Sequence, residues 1–353
     1  MPIMPRTLSG SGVGRLRARP VPLGSWLRVL MLLALGAASA AAQTCDLYVP
    51  THKSNSVSVV RMPAGMVVSV ISVGVQPLSA AITPDKTQVY VTNSGWIVTQ
   101  PSTVSVISTA TNSVVATIPV GRFPVGVAFT PDGTRAYVAN QGSNDVSVIS
   151  TAAMAPIANI PVGAEPWGVA VTPNGAFVYV TNQSSNTVSV ISTATNTVVS
   201  SVPVGTSPTG AVVTPDGSQV YVANYLSANV SVVSTATNTV VNTITVGTRP
   251  VAIAIKPNGA TAYVANDGSN SVSVVDTFSK MVVATIDVGD TPRGVAFSPL
   301  FGDFAYVANR LTNNVARINT ATNKVVSTIA AVGVFPEAVV INDGLSGGSC
   351  EEP

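Results

Sequence analysis

The chain of 353 residues is long enough for two ordinary domains or for one large all-β ring. Only 9% of its residues are charged while 46% are hydrophobic and 5% aromatic, which excludes a disordered polyelectrolyte. The hydrophobic share is Val, Ala and Ile set among Ser, Thr and Asn, with 28 Gly and 25 Pro, an alphabet of short strands and tight turns that argues against a helical bundle, and the formal net charge is +2.

That positive charge belongs to the first 42 residues. Arg6, Arg15, Arg17, Arg19 and Arg28 precede an apolar run from Val29 to Leu35 and a small-residue stretch from Gly36 to Ala42, the pattern of an export signal cleaved after Ala40 or Ala42. The uncharged stretch of 14 residues from Val29 to Ala42 falls short of the roughly 20 needed to cross a bilayer. Gln43-Thr44 before Cys45 lacks the small residues of a lipid-attachment box. The expected organisation is a signal over residues 1–42 and one domain over 43–353, a soluble monomer in the periplasm or outside the cell with no membrane span after cleavage. Five of the 17 Lys and Arg and none of the 15 Asp and Glu lie in the leader, so the mature chain carries 12 basic against 15 acidic residues, a net of −3. A generic polyphosphate-binding surface loses its support.

The rest of the chain repeats. Tyr-Val recurs at Tyr48, Tyr90, Tyr137, Tyr179, Tyr221, Tyr263 and Tyr306, at steps of 42, 47, 42, 42, 42 and 43 residues. Six copies read YVTN or YVAN, ending at Asn93, Asn140, Asn182, Asn224, Asn266 and Asn309, and the first reads YVPT. Each unit offers four strand-like runs, as in 126–130, 135–139, 146–150 and 197–202. Pro-Asp-Gly or Pro-Asn-Gly, Ser-Asn, and Thr-Ala-Thr-Asn separate the runs and suit backbone reversal. Four antiparallel strands per unit make one propeller blade, so the predicted fold is an all-β, seven-bladed propeller.

The chain ends explain how the ring closes. The unit starting at Asp46 has no preceding inner strand, whereas the last is followed by an orphan pattern from Pro336 to Gly344, which is predicted to complete the first blade and cover two sheet edges. Cys45 and Cys350 flank that junction. In an oxidising compartment they are expected to form a disulfide contributing about 2 to 5 kcal/mol, with free thiols or a metal pair as the alternative.

The repeat YVTN/YVAN..SN.VSVI.T.TN.VV.TI.VG..P.GVA.TPDG over residues 46–344 resembles the YVTN β-propeller family of exported and surface-layer proteins of bacteria and archaea. The resemblance implies the seven-bladed fold and a periplasmic or cell-surface binding module. Such modules are in part linked to nucleic acid, adhesion or redox pathways. The first copy departs from the pattern at Pro50.

Ligands of a propeller sit at one mouth of its central channel, built from the connectors between blades and the loops between second and third strands. The connectors supply Gln76, Arg122, Phe123, Glu165, Trp167, Thr206, Ser207, Arg249, Asp290, Arg293, Phe335 and Glu337. The loops add His52, Lys53, Trp96, Asp145, Tyr225, Leu226, Asp267 and Arg310. The ligand-binding candidates among these are Trp96, Arg122, Phe123, Glu165, Trp167, Tyr225, Arg249, Asp290, Arg293, Phe335 and Glu337. Trp96 lies in a segment, Ser94 to Pro101, that makes its unit five residues longer. Arg293 with Glu337, Arg122 with Glu165, and Arg249 with Asp290 are placed for neighbour-blade ion pairs, each worth about 0 to 1 kcal/mol when solvated.

Catalytic signatures are sparse, and no catalytic residue, metal ligand or cofactor is assigned. His52 is the only histidine, which excludes multi-histidine metal sites; it is expected to be an ordinary exposed side chain, although a general base would have to be this residue or a carboxylate. Gly344-Leu345-Ser346-Gly347-Gly348 matches a nucleophile-elbow string without its strand-to-helix context and reads as tail. Asp85, Asp132, Asp216 and Asp343 recur by repeat and are expected to cap turn amides.

Three functions compete. The favoured expectation is an exported, non-enzymatic propeller that binds a protein or envelope polymer through the mouth. The alternative is a lyase or lactonase with a divalent cation held by rim carboxylates such as Glu165, Asp290 and Glu337. The third is single-stranded nucleic-acid binding through Trp96, Trp167, Phe123 and Tyr225, which the net negative charge disfavours.

Overall fold

A strand covered by neighbours on both faces needs apolar residues at successive positions rather than at alternate ones. The YVAN and VSVI segments are of that kind, and Tyr137, Val138 and Ala139, like Val146 and Val148, are fully buried. The computed structural model describes residues 45–95, 102–299 and 302–344; the leader, Trp96 and Cys350 lie outside them. These residues form seven four-stranded antiparallel sheets. Blade 1 contains β1 (Cys45–Thr51), β2 (Ser56–Met62) and β3 (Met66–Ser72), and blade 2 runs from β4 (Pro77–Ile82) to β7 (Ser113–Pro119). Blades 3 to 7 repeat the order within Pro124–Pro161, Pro166–Pro203, Pro208–Thr245, Pro250–Asp287 and Pro292–Ile329.

Closure follows the expected route. The last strand, β28 (Val340–Asn342), pairs antiparallel with β1, setting Leu47 opposite Ile341, and an isolated bridge joins Thr51 to Pro336. Blade 1 is therefore built from both ends of the described chain. Asp343 departs from the expected turn cap: its buried carboxylate accepts a charge-assisted hydrogen bond from Lys86 of blade 2, tying the end of the closing strand to the next blade.

The core lies between blades. Tyr137, Ala139, Val146 and Val148 of blade 3 pack with Val178, Val180 and Ile191 of blade 4, and Cys45, Leu47 and Val49 of blade 1 pack with Tyr306, Ala308 and Val315 of blade 7. Four of the buried tyrosines reach an asparagine in a turn of the following blade: the Tyr48, Tyr137, Tyr179 and Tyr263 hydroxyls donate to Asn112, Asn196, Asn238 and Asn323. Those asparagines sit at φ of 49°, 53°, 52° and 53°, a left-handed turn position that Asn tolerates. Near the axis the inner strands come so close that a Cβ on Gly126 would lie 2.4 Å from the Trp167 carbonyl oxygen, so only glycine fits there.

Candidate functional site

Two positions of the repeat place side chains around the mouth. The first follows the connector proline at the start of each inner strand and carries Leu78, Val125, Trp167, Thr209, Val251, Arg293 and Glu337. The second follows the recurring Asn of the YVAN or YVTN motif, or Thr51 in blade 1, and carries His52, Ser94, Gln141, Gln183, Tyr225, Asp267 and Arg310. Every residue of the second set donates its backbone N–H to the carbonyl of the pre-proline residue of a connector, as His52 does to Phe335 and Asp267 to Arg249 at 2.9 Å. Those pre-proline residues, Glu165, Arg249 and Phe335 among them, have φ from 51° to 61°, an uncommon conformation for side-chain-bearing residues. Side chains in the neighbouring loop stabilise it, Asn144 accepting from the Glu165 amide and Asn313 from the Phe335 amide. One backbone frame thus presents fourteen side chains of varied chemistry.

In blades 5 to 7 and 1 this frame gathers a charged cluster. The Tyr225 hydroxyl donates to Asp267 Oδ2 at 3.1 Å, Arg293 Nε lies 3.3 Å from Asp267 Oδ1 and 4.0 Å from Glu337 Oε2, and Arg310 Nε donates to Glu337 Oε1 at 2.7 Å. Asp267 and Glu337 are nearly buried, the Glu337 side chain being 8% exposed. Burial pushes the Glu337 carboxyl above the ordinary carboxylate range, while Arg293 and Arg310 pull it back. Burial, then the charge of Asp267, raises the Tyr225 phenol.

His52 stands beside this cluster and is not the exposed side chain expected of it. It is half-buried with Nδ1 shielded and without a hydrogen-bond partner. Burial, then the positive charges of Arg310, Lys53 and Arg293, depress its pKa, so the imidazole is neutral at neutral pH. Phe335 carries two cations over its ring, Lys53 Nζ at 4.7 Å and Arg310 at 4.5 Å from the centroid.

The sequence candidates distribute unevenly. Tyr225, Arg293 and Glu337 meet in the cluster, Phe335 flanks it, and Trp167 lines the channel below, a cavity of about 300 Å³ that also exposes Arg293 and Glu337. Two of the three expected ion pairs are replaced. Arg122 lies over Phe123 and Arg249 over Tyr225, Glu165 accepts from Ser184, and Asp290 accepts from Asn270. The Arg293–Glu337 pair forms, with Arg310 and Asp267 as additional partners. Among the described residues no three His, Cys, Asp or Glu side chains are grouped as a metal ion would require, so Glu165, Asp290 and Glu337 do not build a cation site. Asp267 and Arg310 appear in the sequence only as rim residues, and Gln141 and Gln183 not at all; the signal was the single position after the motif Asn, read down the repeat.

Two family models match parts of the chain. Residues 212–347 match the model of the YNCE-like β-propeller and residues 87–199 that of the seven-bladed β-propeller lactonase. No curated protein matches. Among solved structures the chain is similar to hydrazine synthase of Kuenenia stuttgartiensis, at 26% identity and a TM-score of 0.71, covering 78% of this chain and 92% of that one. It also resembles the periplasmic gluconolactonase of Pseudomonas aeruginosa, at 19% identity and a TM-score of 0.72 over 84% and 99% of the two chains. A candidate 6-phosphogluconolactonase of Bacteroides uniformis follows at 17%, a TM-score of 0.74, and 85% and 100%. The last two likenesses establish the fold alone. The expectation of a non-enzymatic binding scaffold, which rested on the regularity of the repeat and the sparse catalytic signatures, is overturned by the lactonase match. No helix among the described residues is long and apolar enough to cross a membrane.

Proposed function

We propose that the protein is a propeller hydrolase of lactones, exported through its Arg-rich leader and related in sequence to the YVTN repeat proteins. The observation that carries the reading is a neutral, half-buried His52 beside the Arg293–Glu337–Arg310 network, at the mouth of a chain with a lactonase match. Lactone opening needs a base to take a proton from water and a positive site to hold the oxyanion formed at the carbonyl. His52 suits the first task through Nε2, because Nδ1 is shielded from solvent and Nε2 is not. Arg293 and Arg310 suit the second, because each engages carboxylates through Nε while its terminal nitrogens make no hydrogen bond among the described residues. Glu337 and Asp267 hold the guanidinium groups and balance their charge.

Water attacks the carbonyl as His52 accepts its proton, the oxyanion collapses, and the ring C–O bond breaks. The departing alkoxide takes the proton back from His52, leaving a hydroxy acid. The test is the rate of opening of glucono-δ-lactone above the buffer rate. We expect clear acceleration by the wild type that is lost in His52→Ala; wild-type rates equal to buffer across aldono- and alkyl-lactones overturn the reading.

A further inference from the structure

We propose that Gln141 is a specificity-determining residue that accepts a hydrogen bond from a substrate hydroxyl remote from the scissile ester. The proposal rests on the lactone-hydrolase reading of the same mouth. In a ring of seven blades, blade 7 faces the junction of blades 3 and 4, so the charged cluster looks across the mouth at Gln141 and Gln183. The Gln141 amide nitrogen donates to Gln183 Oε1 at 3.3 Å, which leaves Gln141 Oε1 buried and without a partner. At two of the equivalent positions the side chains are engaged within the protein: Tyr225 donates to Asp267 and Arg310 to Glu337.

An amide oxygen accepts only, so it selects hydroxyl donors over ethers, carbonyls or anions. The Glu165 carboxylate, held by Ser184 in the same arc, adds to the discrimination against an anionic substituent there. Trp167, on the inner strand of blade 4, supplies an aromatic wall to the channel. The substrate class is therefore a neutral polyhydroxy lactone, with its carbonyl toward Arg293 and Arg310 and its hydroxyl-bearing face toward Gln141.

The experiment compares glucono-δ-lactone with δ-valerolactone, the same ring without hydroxyls, for the wild type, Gln141→Met and Gln141→Glu. We expect Gln141→Met to lower the preference for glucono-δ-lactone about tenfold through KM, with kcat and δ-valerolactone turnover unchanged, and Gln141→Glu, which keeps an acceptor, to retain most of it. An unchanged preference, or equal losses on both substrates, overturns the assignment. If the wild type opens neither lactone, the hydrolase reading fails by itself, and calorimetric binding of gluconate then reads the subsite. Weaker binding by Gln141→Met supports it, and equal binding or none by the wild type overturns it.

Discussion

The two faces of the propeller use the same strands to opposite ends. On the face away from the mouth, the turns repeat their side-chain contacts: Asp132 and Asp216 each accept from the second following backbone amide at 3.0 Å, and Asn174 and Asn258 do the same. At the mouth the backbone bonds repeat in all seven blades while the side chains they present differ in every blade but two. Uniform contacts mark positions that serve the fold. Variable side chains on an invariant frame mark positions free to carry chemistry.

The largest expected effect sharpens this contrast. His52→Ala should lower kcat for lactone opening about 10²- to 10⁴-fold with little change in stability, whereas Asp132→Asn on the opposite face should leave kcat unchanged; steady-state kinetics on both variants separates the faces. Equal kinetic effects would erase the distinction. The next effect concerns closure. Reduction of the bridge proposed between Cys45 and Cys350 should cost about 2 to 5 kcal/mol of stability, read as a lower melting temperature in reductant, and an unchanged Tm would count against the bridge.

A smaller effect, of opposite sign, comes from a blade in which this turn departs from its commonest residue. Met154 occupies, at φ 48°, the left-handed turn position that Asn holds in four blades, and packs in the same cluster as Tyr90, whose buried hydroxyl has no partner. Met154→Asn should restore the bond and relax the backbone, stabilising the protein by about 1 kcal/mol in denaturant titration. A neutral or destabilised variant would show that the tyrosine bond is incidental.

The smallest effect is with pH. Because burial and the neighbouring cations depress the pKa of His52 below the ordinary histidine value, kcat/KM should hold through the neutral range and fall on acidification below the ordinary histidine range. A rate that fell through the neutral range would point to a different base.

The fold was legible because its signals are local and repeated. Tyr-Val spacing located the doubly buried strands, and the orphan strand after Pro336 predicted the pairing of β28 with β1. The site was only half legible. Arg293 and Glu337 stood out because they set opposite charges at the same register of adjacent blades, whereas the surroundings of His52 include Phe335 and Arg310, which lie more than 250 residues away in sequence. The ion pairs expected between Arg122 and Glu165, and between Arg249 and Asp290, fail because an aromatic ring adjoins each arginine. Stacking on Phe123 and Tyr225 satisfies these guanidinium groups locally.

The most direct test of the account is the hydrolysis of glucono-δ-lactone by the wild type, His52→Ala and Arg293→Met under one buffer condition, with the buffer rate subtracted. The account predicts turnover by the wild type and a drop of at least about 10²-fold in each variant, with an unchanged melting curve for His52→Ala and a lower melting temperature for Arg293→Met, which takes a cation from the nearly buried Asp267 and Glu337. Full activity in both variants, or none in the wild type, would contradict it.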